Sequence, residues 1–256
     1  MDPAATTLAR ALKRVKGHVA LAAISVCRRL PIVFFRNAVQ FGQSLEYSLW
    51  VIRKFGTDTV FFATRERLWH RMLSCLRQDS QVSVLEFGVA YGYTPKWWLP
   101  RCTLINKWYG FDTFTGLPCA WRHFAVGAFD ADGRPPALSD PRIEWIVGRI
   151  EDTVSASRIE ATCSTEKART QRVFIFDLDL YEPTRHAAEF VFPRLQEGDI
   201  LYFDEAADWD ERRVLLEEMP KASKPLMLIG ATPMALAMQV GPLTEQAGTP
   251  ASGYPS

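Results

Sequence analysis

Acidic residues stand at the ends of several apolar runs in this chain, and any chemistry has to begin with them. The first run, Val82 to Phe87, carries Glu86 and leads into Gly88 and Gly92 within the stretch LEFGVAYGYTP. A second, KWYGFD from Lys107, ends in Asp112; RVFIFDLDLY stops at Asp177 and Asp179; ILYFDE finishes in Asp204 and Glu205. Short apolar runs bounded by turn residues read as buried strands, and acids at their ends fall on one edge of a parallel sheet, where such sheets bind ligands. The opening motif is ExGxxxG. It is not the GxGxxG turn that cradles a pyrophosphate with backbone N–H groups and no acid beside them. An acid suits another ligand: a carboxylate accepts hydrogen bonds from an amine or from both hydroxyls of a ribose, and glycines let the backbone come close.

Those acids need elements to hold them. From Asp58 to Gln78 the apolar residues Phe61, Leu68, Trp69, Met72, Leu73 and Leu76 recur at three- and four-residue steps, which predicts an amphipathic helix before the first strand. Thr94 offers an N-cap with Pro95 at the first helical position, and Pro100 cuts that helix short, with Trp97 and Trp98 packing it. Ile143, Trp145 and Val147 alternate with polar residues as a strand closed by Gly148. Glu182 and Pro183 open a helix that runs to Phe190, with Gly198 beyond it, and another spans roughly Asp208 to Met219. PLMLIGATPMALAMQV then reads as two adjacent strands broken around Thr232 and Pro233. Strand and helix alternate and a strand pair closes the series, so the fold class is α/β, a doubly wound, mostly parallel sheet with one reversed strand. Between Thr113 and Asp140 the density of glycine and proline excludes regular structure over much of the segment. It predicts a mobile cover held by few backbone hydrogen bonds.

The 256 residues, 48% of them hydrophobic, suffice for one large domain with appendages: a helical accessory segment over 1–57, the α/β domain over 58–240 and a flexible tail over 241–256. With 30 basic against 29 acidic residues there is no electrostatic footprint for nucleic acid. Cys27, Cys75, Cys102, Cys119 and Cys163 lack paired spacing, which argues against disulfides or zinc and for a reducing, cytoplasmic setting. Near the N-terminus, basic residues precede the apolar run His18 to Cys27, but Arg28 and Arg29 end it too early for a membrane span. That segment reads as a helical extension packed on the core or on a second subunit, a membrane-surface helix, or a cleaved signal.

Taken together, LEFGVAYG, YGFDTFTGLP, GRIEDTV, FDLDLYEPT and ILYFDE, in this order, resemble the class I S-adenosylmethionine-dependent methyltransferases, and most closely the macrocin O-methyltransferase family, over roughly residues 58–240. The resemblance implies a seven-stranded Rossmann-like sheet. In it Glu86 and Gly88 hold the methionine part of S-adenosylmethionine beside Gly92, Asp112 grips the ribose, and Gly148, Arg149, Ile150 and Glu151 flank the adenine. It also implies a divalent metal, typically Mg²⁺, on Asp177, Asp204 and Glu205, although the family presents Asp or Asn where this chain has Glu205. A metal there would bind a substrate hydroxyl and favour its alkoxide form.

The expected reaction is therefore methyl transfer to a hydroxyl of a small molecule, such as a sugar unit of a natural product or lipid. The group that takes the proton is open between Asp177, His123 in the cover, and metal-bound solvent. Asp179 reads as a structural acid supporting the loop before Glu182, and Asp204 and Glu205 have a bland alternative as caps of the following helix. The rival reading is a catalytically silent relative that uses the fold for binding or as a scaffold. An NAD-dependent oxidoreductase is disfavoured by the missing phosphate-binding glycine turn.

Overall fold

In the computed structural model of the chain, residues 32–162 and 170–241 are described. The expected tail, Cys27, Cys163 and the basic and apolar N-terminal runs lie outside them, apart from the tail's first residue, Gly241. The described helices are α1 (Ile32–Phe55), α2 (Arg65–Ser74), α3 (Tyr93–Trp98), α4 (Ile150–Thr153), α5 (Ala156–Ala161), α6 (Tyr181–Val191) and α7 (Trp209–Glu218). The strands are β1 (Gln81–Phe87), β2 (Ile105–Asp112), β3 (Ile143–Val147), β4 (Thr170–Phe176), β5 (Ile200–Phe203), β6 (Leu226–Ala231) and β7 (Leu236–Val240). The chain divides into two compact units, 1–43 and 44–256. In the first, the described residues are the opening of α1. Every contact below belongs to the second.

The strands form one seven-stranded sheet in the order β3-β2-β1-β4-β5-β7-β6. All neighbours are parallel except β7, which runs antiparallel to both β5 and β6. This is the doubly wound, mostly parallel α/β sheet with one reversed strand that the element order predicts. Side chains alternate across it with period two. Leu85 and Phe87 of β1 join Phe111, Phe174, Phe176, Leu201 and Phe203 on one face, against α6 and α7 and with Tyr47 and Val51 of α1. Val82 and Val84 join Trp108, Val173, Ile175 and Tyr202 on the other, against Leu68, Trp69 and Met72 of α2 and Trp97 and Trp98 of α3. Strand order reverses between β1 and β4, so the crevice of such a sheet opens at their carboxyl ends.

Two helix starts differ from expectation for local reasons. Helix α2 begins at Arg65 because the Thr64 hydroxyl accepts from Arg67 N and caps it. Upstream, Phe62 N donates to Ala231 O and Ala231 N to Val60 O, so Phe61 and its neighbours extend the β6 edge. Helix α3 is capped by Gly92, not Thr94, and Pro95 sits in its third position. Thr94 is buried and makes no side-chain cap for the helix. The cover differs too. It has no named strand or helix, yet backbone bonds fasten it from within, among them Leu117 N to Ala128 O, Gly127 N to Leu117 O, and both Ala131 N and Gly133 N to Phe114 O.

Candidate active site

The end of β1 is built by close approach of backbone. Gly88 has φ +88°, and a Cβ there would stand 1.8 Å from the Asp177 carbonyl oxygen, so only glycine lets β1 and β4 run side by side to the crevice. Gly92, at φ +70°, turns the chain into α3, and a Cβ on it would press on Pro136 of the cover at 2.9 Å. The Tyr91 hydroxyl donates to Asp130 O at 3.1 Å, so the cover rests on this loop.

Asp112 ends β2 beside that loop. Its Oδ2 accepts from Val89 N and Ala90 N, both at 2.8 Å, and its Oδ1 accepts from Phe114 N at 2.8 Å. A carboxylate has about four lone-pair sites. Three are filled, and one on Oδ1 is left for a ligand hydroxyl, which fits one hydroxyl of a ribose where the sequence reading allowed two. No guanidinium pairs with this acid among the described residues. At the end of β3, Gly148 N donates to Asp112 O at 3.0 Å, and Arg149 pairs with Glu151 at 3.3 Å on the exposed rim. Ile150 turns inward to the core and is not available to flank a ligand.

Glu86 departs furthest from its expected role. It is wholly buried on the α2–α3 face of the sheet, where Trp108 Nε1 donates to its Oε2 at 2.9 Å and its Oε1 has no hydrogen-bond partner. Burial pushes its carboxyl up to about 8, against bonds from Trp108 and Thr94 that lower it. Glu86 thus lies beneath the β1 end, bonded to Trp108 and sealed from solvent, where the resemblance has it holding the methionine part of the cofactor.

The ends of β4 and β5 form the second half of the edge, and here side chains do the work. Asp177 and Asp179 accept no hydrogen bond from any described residue. Burial, then the charges of Asp204, Asp179 and Glu211, push the Asp177 carboxyl well up. Burial, then Asp204, raises Asp179 to about 7. Asp179 also holds φ +64°, a left-handed conformation that costs a non-glycine residue energy and recurs at functional sites. Asp204 accepts from the Tyr202 hydroxyl on Oδ1 and from Arg65 Nη1 at 2.9 Å on Oδ2. Glu205 and Asp208 share Arg122 of the cover, at 2.8 Å to Nη2 and 2.7 Å to Nε. Glu211, fully buried, accepts from Glu205 N on Oε2 and leaves Oε1 without a partner. His123 is exposed, its ring 4.2 Å from that of Phe124, and it makes no hydrogen bond to these acids.

The structure brings the sequence-predicted acids to the carboxyl ends of β4 and β5, together with Arg65, Arg122, Tyr202, Asp208 and Glu211, which the sequence reasoning did not include. The expected metal does not fit the ligand set as it stands. Mg²⁺ needs hard anionic oxygens free to close on it in near-octahedral geometry. Both oxygens of Asp204 and one of Glu205 are already engaged, by a phenol and two guanidinium groups. Among the described residues no three His, Cys, Asp or Glu side chains converge to hold a metal ion.

No protein-family model matches the chain, and no curated protein matches it. Solved structures similar to it include CalS11, a calicheamicin methyltransferase, at 24% identity and TM-score 0.46 over 69% of this chain and 77% of that one. The O-methyltransferase NovP is 17% identical, with TM-score 0.44 over 69% of this chain and 80% of that one. A Corynebacterium glutamicum protein is 10% identical, with TM-score 0.42 over 80% and 92%. Likeness at this level carries neither activity nor substrate to this chain.

Proposed function

We propose that the chain is an S-adenosylmethionine-dependent O-methyltransferase acting on a hydroxyl of a small molecule, such as a sugar unit of a natural product or lipid. The observation that carries this reading is Asp112, an acid fixed by three backbone N–H groups at the end of β2 with one acceptor site left over, beside a glycine loop that displays an acid motif in place of a phosphate turn. The motifs that resemble the class I methyltransferases, and the strand order with its single reversed strand, support the same reading.

S-adenosylmethionine supplies a methyl group already activated on a sulfonium, so the protein has only to align the acceptor oxygen and remove its proton. Asp112 holds the ribose. Asp177 takes the proton on a carboxylate oxygen, with Asp179 beside it, since both are free of donors; His123, exposed and directed to Phe124, is set aside. The cover excludes water over both halves of the edge, touching the glycine loop through Asp130 and Pro136 and the β5 acids through Arg122.

A second reading, a fold retained for binding without turnover, draws on the same ion pairs that engage Asp204 and Glu205. Calorimetry with S-adenosylmethionine followed by a screen of hydroxylated acceptors separates the two. Methyl transfer to any acceptor supports the first, and binding without transfer to any of them supports the second.

A further inference from the structure

The resemblance implies a divalent cation between β4 and β5, and the side chains there already surround cations of another kind. Arg122 bridges Glu205 and Asp208 with two donors, and its guanidinium lies 4.1 Å from the Trp121 ring centroid. This is not a solvated surface pair of the sort that contributes little. The side chains of Arg122, Glu205 and Asp208 are only 19%, 19% and 9% accessible. Arg122 holds φ +51°, a strain that persists only where its surroundings fix it. Arg65 pairs with Asp204 from the other side, its guanidinium 5.4 Å from the Trp69 ring and 5.0 Å from that of Tyr93. Glu205, where the family presents Asp or Asn, is one of the two acids that meet Arg122.

We propose that Arg65 and Arg122 stand in place of the divalent metal, so that guanidinium groups offset part of the negative charge of this edge and the cover is latched to it by Arg122. A guanidinium is always charged, stacks on aromatic faces and binds two acceptors in a plane, which suits it to a fixed cation role. Six acids, Asp177, Asp179, Asp204, Glu205, Asp208 and Glu211, share the edge with these two cations, so the acids left without donors, Asp177 and Asp179, stay open as proton acceptors. The inference deepens the methyltransferase reading, but its test contains no S-adenosylmethionine and succeeds or fails independently of it.

The test titrates Mn²⁺ into the full-length chain and follows the free ion by electron paramagnetic resonance. The wild type is expected to leave equimolar Mn²⁺ free, and Arg122→Lys to do the same. Arg65→Ala/Arg122→Ala, which releases the acids, is expected to bind Mn²⁺ at least about tenfold more tightly than the wild type. Stoichiometric uptake by the wild type that Asp177→Asn abolishes would overturn the proposal, as would a folded double variant with no gain. Because that variant removes two partners from buried acids, a second measurement approaches the latch from either side. Chymotrypsin should cut the cover near Phe124 at least about fivefold faster in Arg122→Gln and in Glu205→Gln than in the wild type, since breaking one ion pair frees the segment. Cleavage at the wild-type rate in both would remove the latch.

Discussion

The two halves of the ligand-binding edge are made of different material. At the ends of β1, β2 and β3 the structure is mostly backbone: Gly88 against the Asp177 carbonyl, and Asp112 collecting three N–H groups. At the ends of β4 and β5 it is side chain against side chain, with acids paired to arginines that come from α2 and from the cover. A backbone cradle has one shape, fixed by the strands that form it. A network of charged side chains can be rearranged by substitution without moving the sheet, and the proposed function places acceptor choice and proton removal there. The halves meet at Gly88 and Asp177, so separating their contributions means perturbing each side of that contact.

The largest effect expected is on turnover. Asp177→Asn keeps the shape and removes the proton acceptor, so methyl transfer should fall by about 10² to 10⁴-fold while S-adenosylmethionine binding changes less than about twofold. A matching loss of binding would merge the two halves into one functional unit.

Gly88→Ala tests the seam between them. A methyl group set against the Asp177 carbonyl at positive φ should cost on the order of 3 to 4 kcal/mol, read as a lowered urea midpoint at unchanged slope. Stability within about 0.5 kcal/mol of wild type would mean that the strands do not approach as described.

Glu86→Gln sharpens the comparison from beneath the sheet. The folded carboxyl titrates at about 8 against an ordinary 4.5, so between those pH values the folded chain holds a proton that the unfolded chain has lost. Stability therefore falls as pH rises through that window and levels off above it. The amide should remove this part of the decline, leaving the variant more stable than wild type by on the order of 4 kcal/mol at pH 8 and about equal near pH 4. Asp179 and Glu205, each raised to about 7, keep their own share of the slope. Thermal unfolding across that range measures it, and an unaltered pH slope in the variant would show that Glu86 is ionised in the fold.

The difference between the halves also decides what could be read from the sequence. Strands β1, β2, β4 and β5 were legible because each is an apolar run that stops at an acid, and the reversed strand because Thr232 and Pro233 break the final run. Glu86 was visible as an acid, but its burial depends on Trp108 from the neighbouring strand, and Thr94 gave a false cap because Gly92, at positive φ, opens the helix ahead of it. The arginine partners could not be found this way. Arg65 lies 139 residues from Asp204 and Arg122 lies 83 from Glu205, with no periodicity linking them. The motifs that suggested a metal say nothing of the arginines that pair with the same acids. The cover was legible as irregular, but glycine and proline content could not reveal that its backbone groups pair with one another.

The account rests most directly on Asp112, and titration calorimetry with S-adenosylmethionine tests it. The full-length chain should bind one molecule, Asp177→Asn and Arg122→Gln should bind it nearly as well, and Asp112→Ala should weaken binding by about 1 to 3 kcal/mol as the hydroxyl bond to a charged acceptor is lost. No binding to the wild type, or undiminished binding to a folded Asp112→Ala, would contradict it.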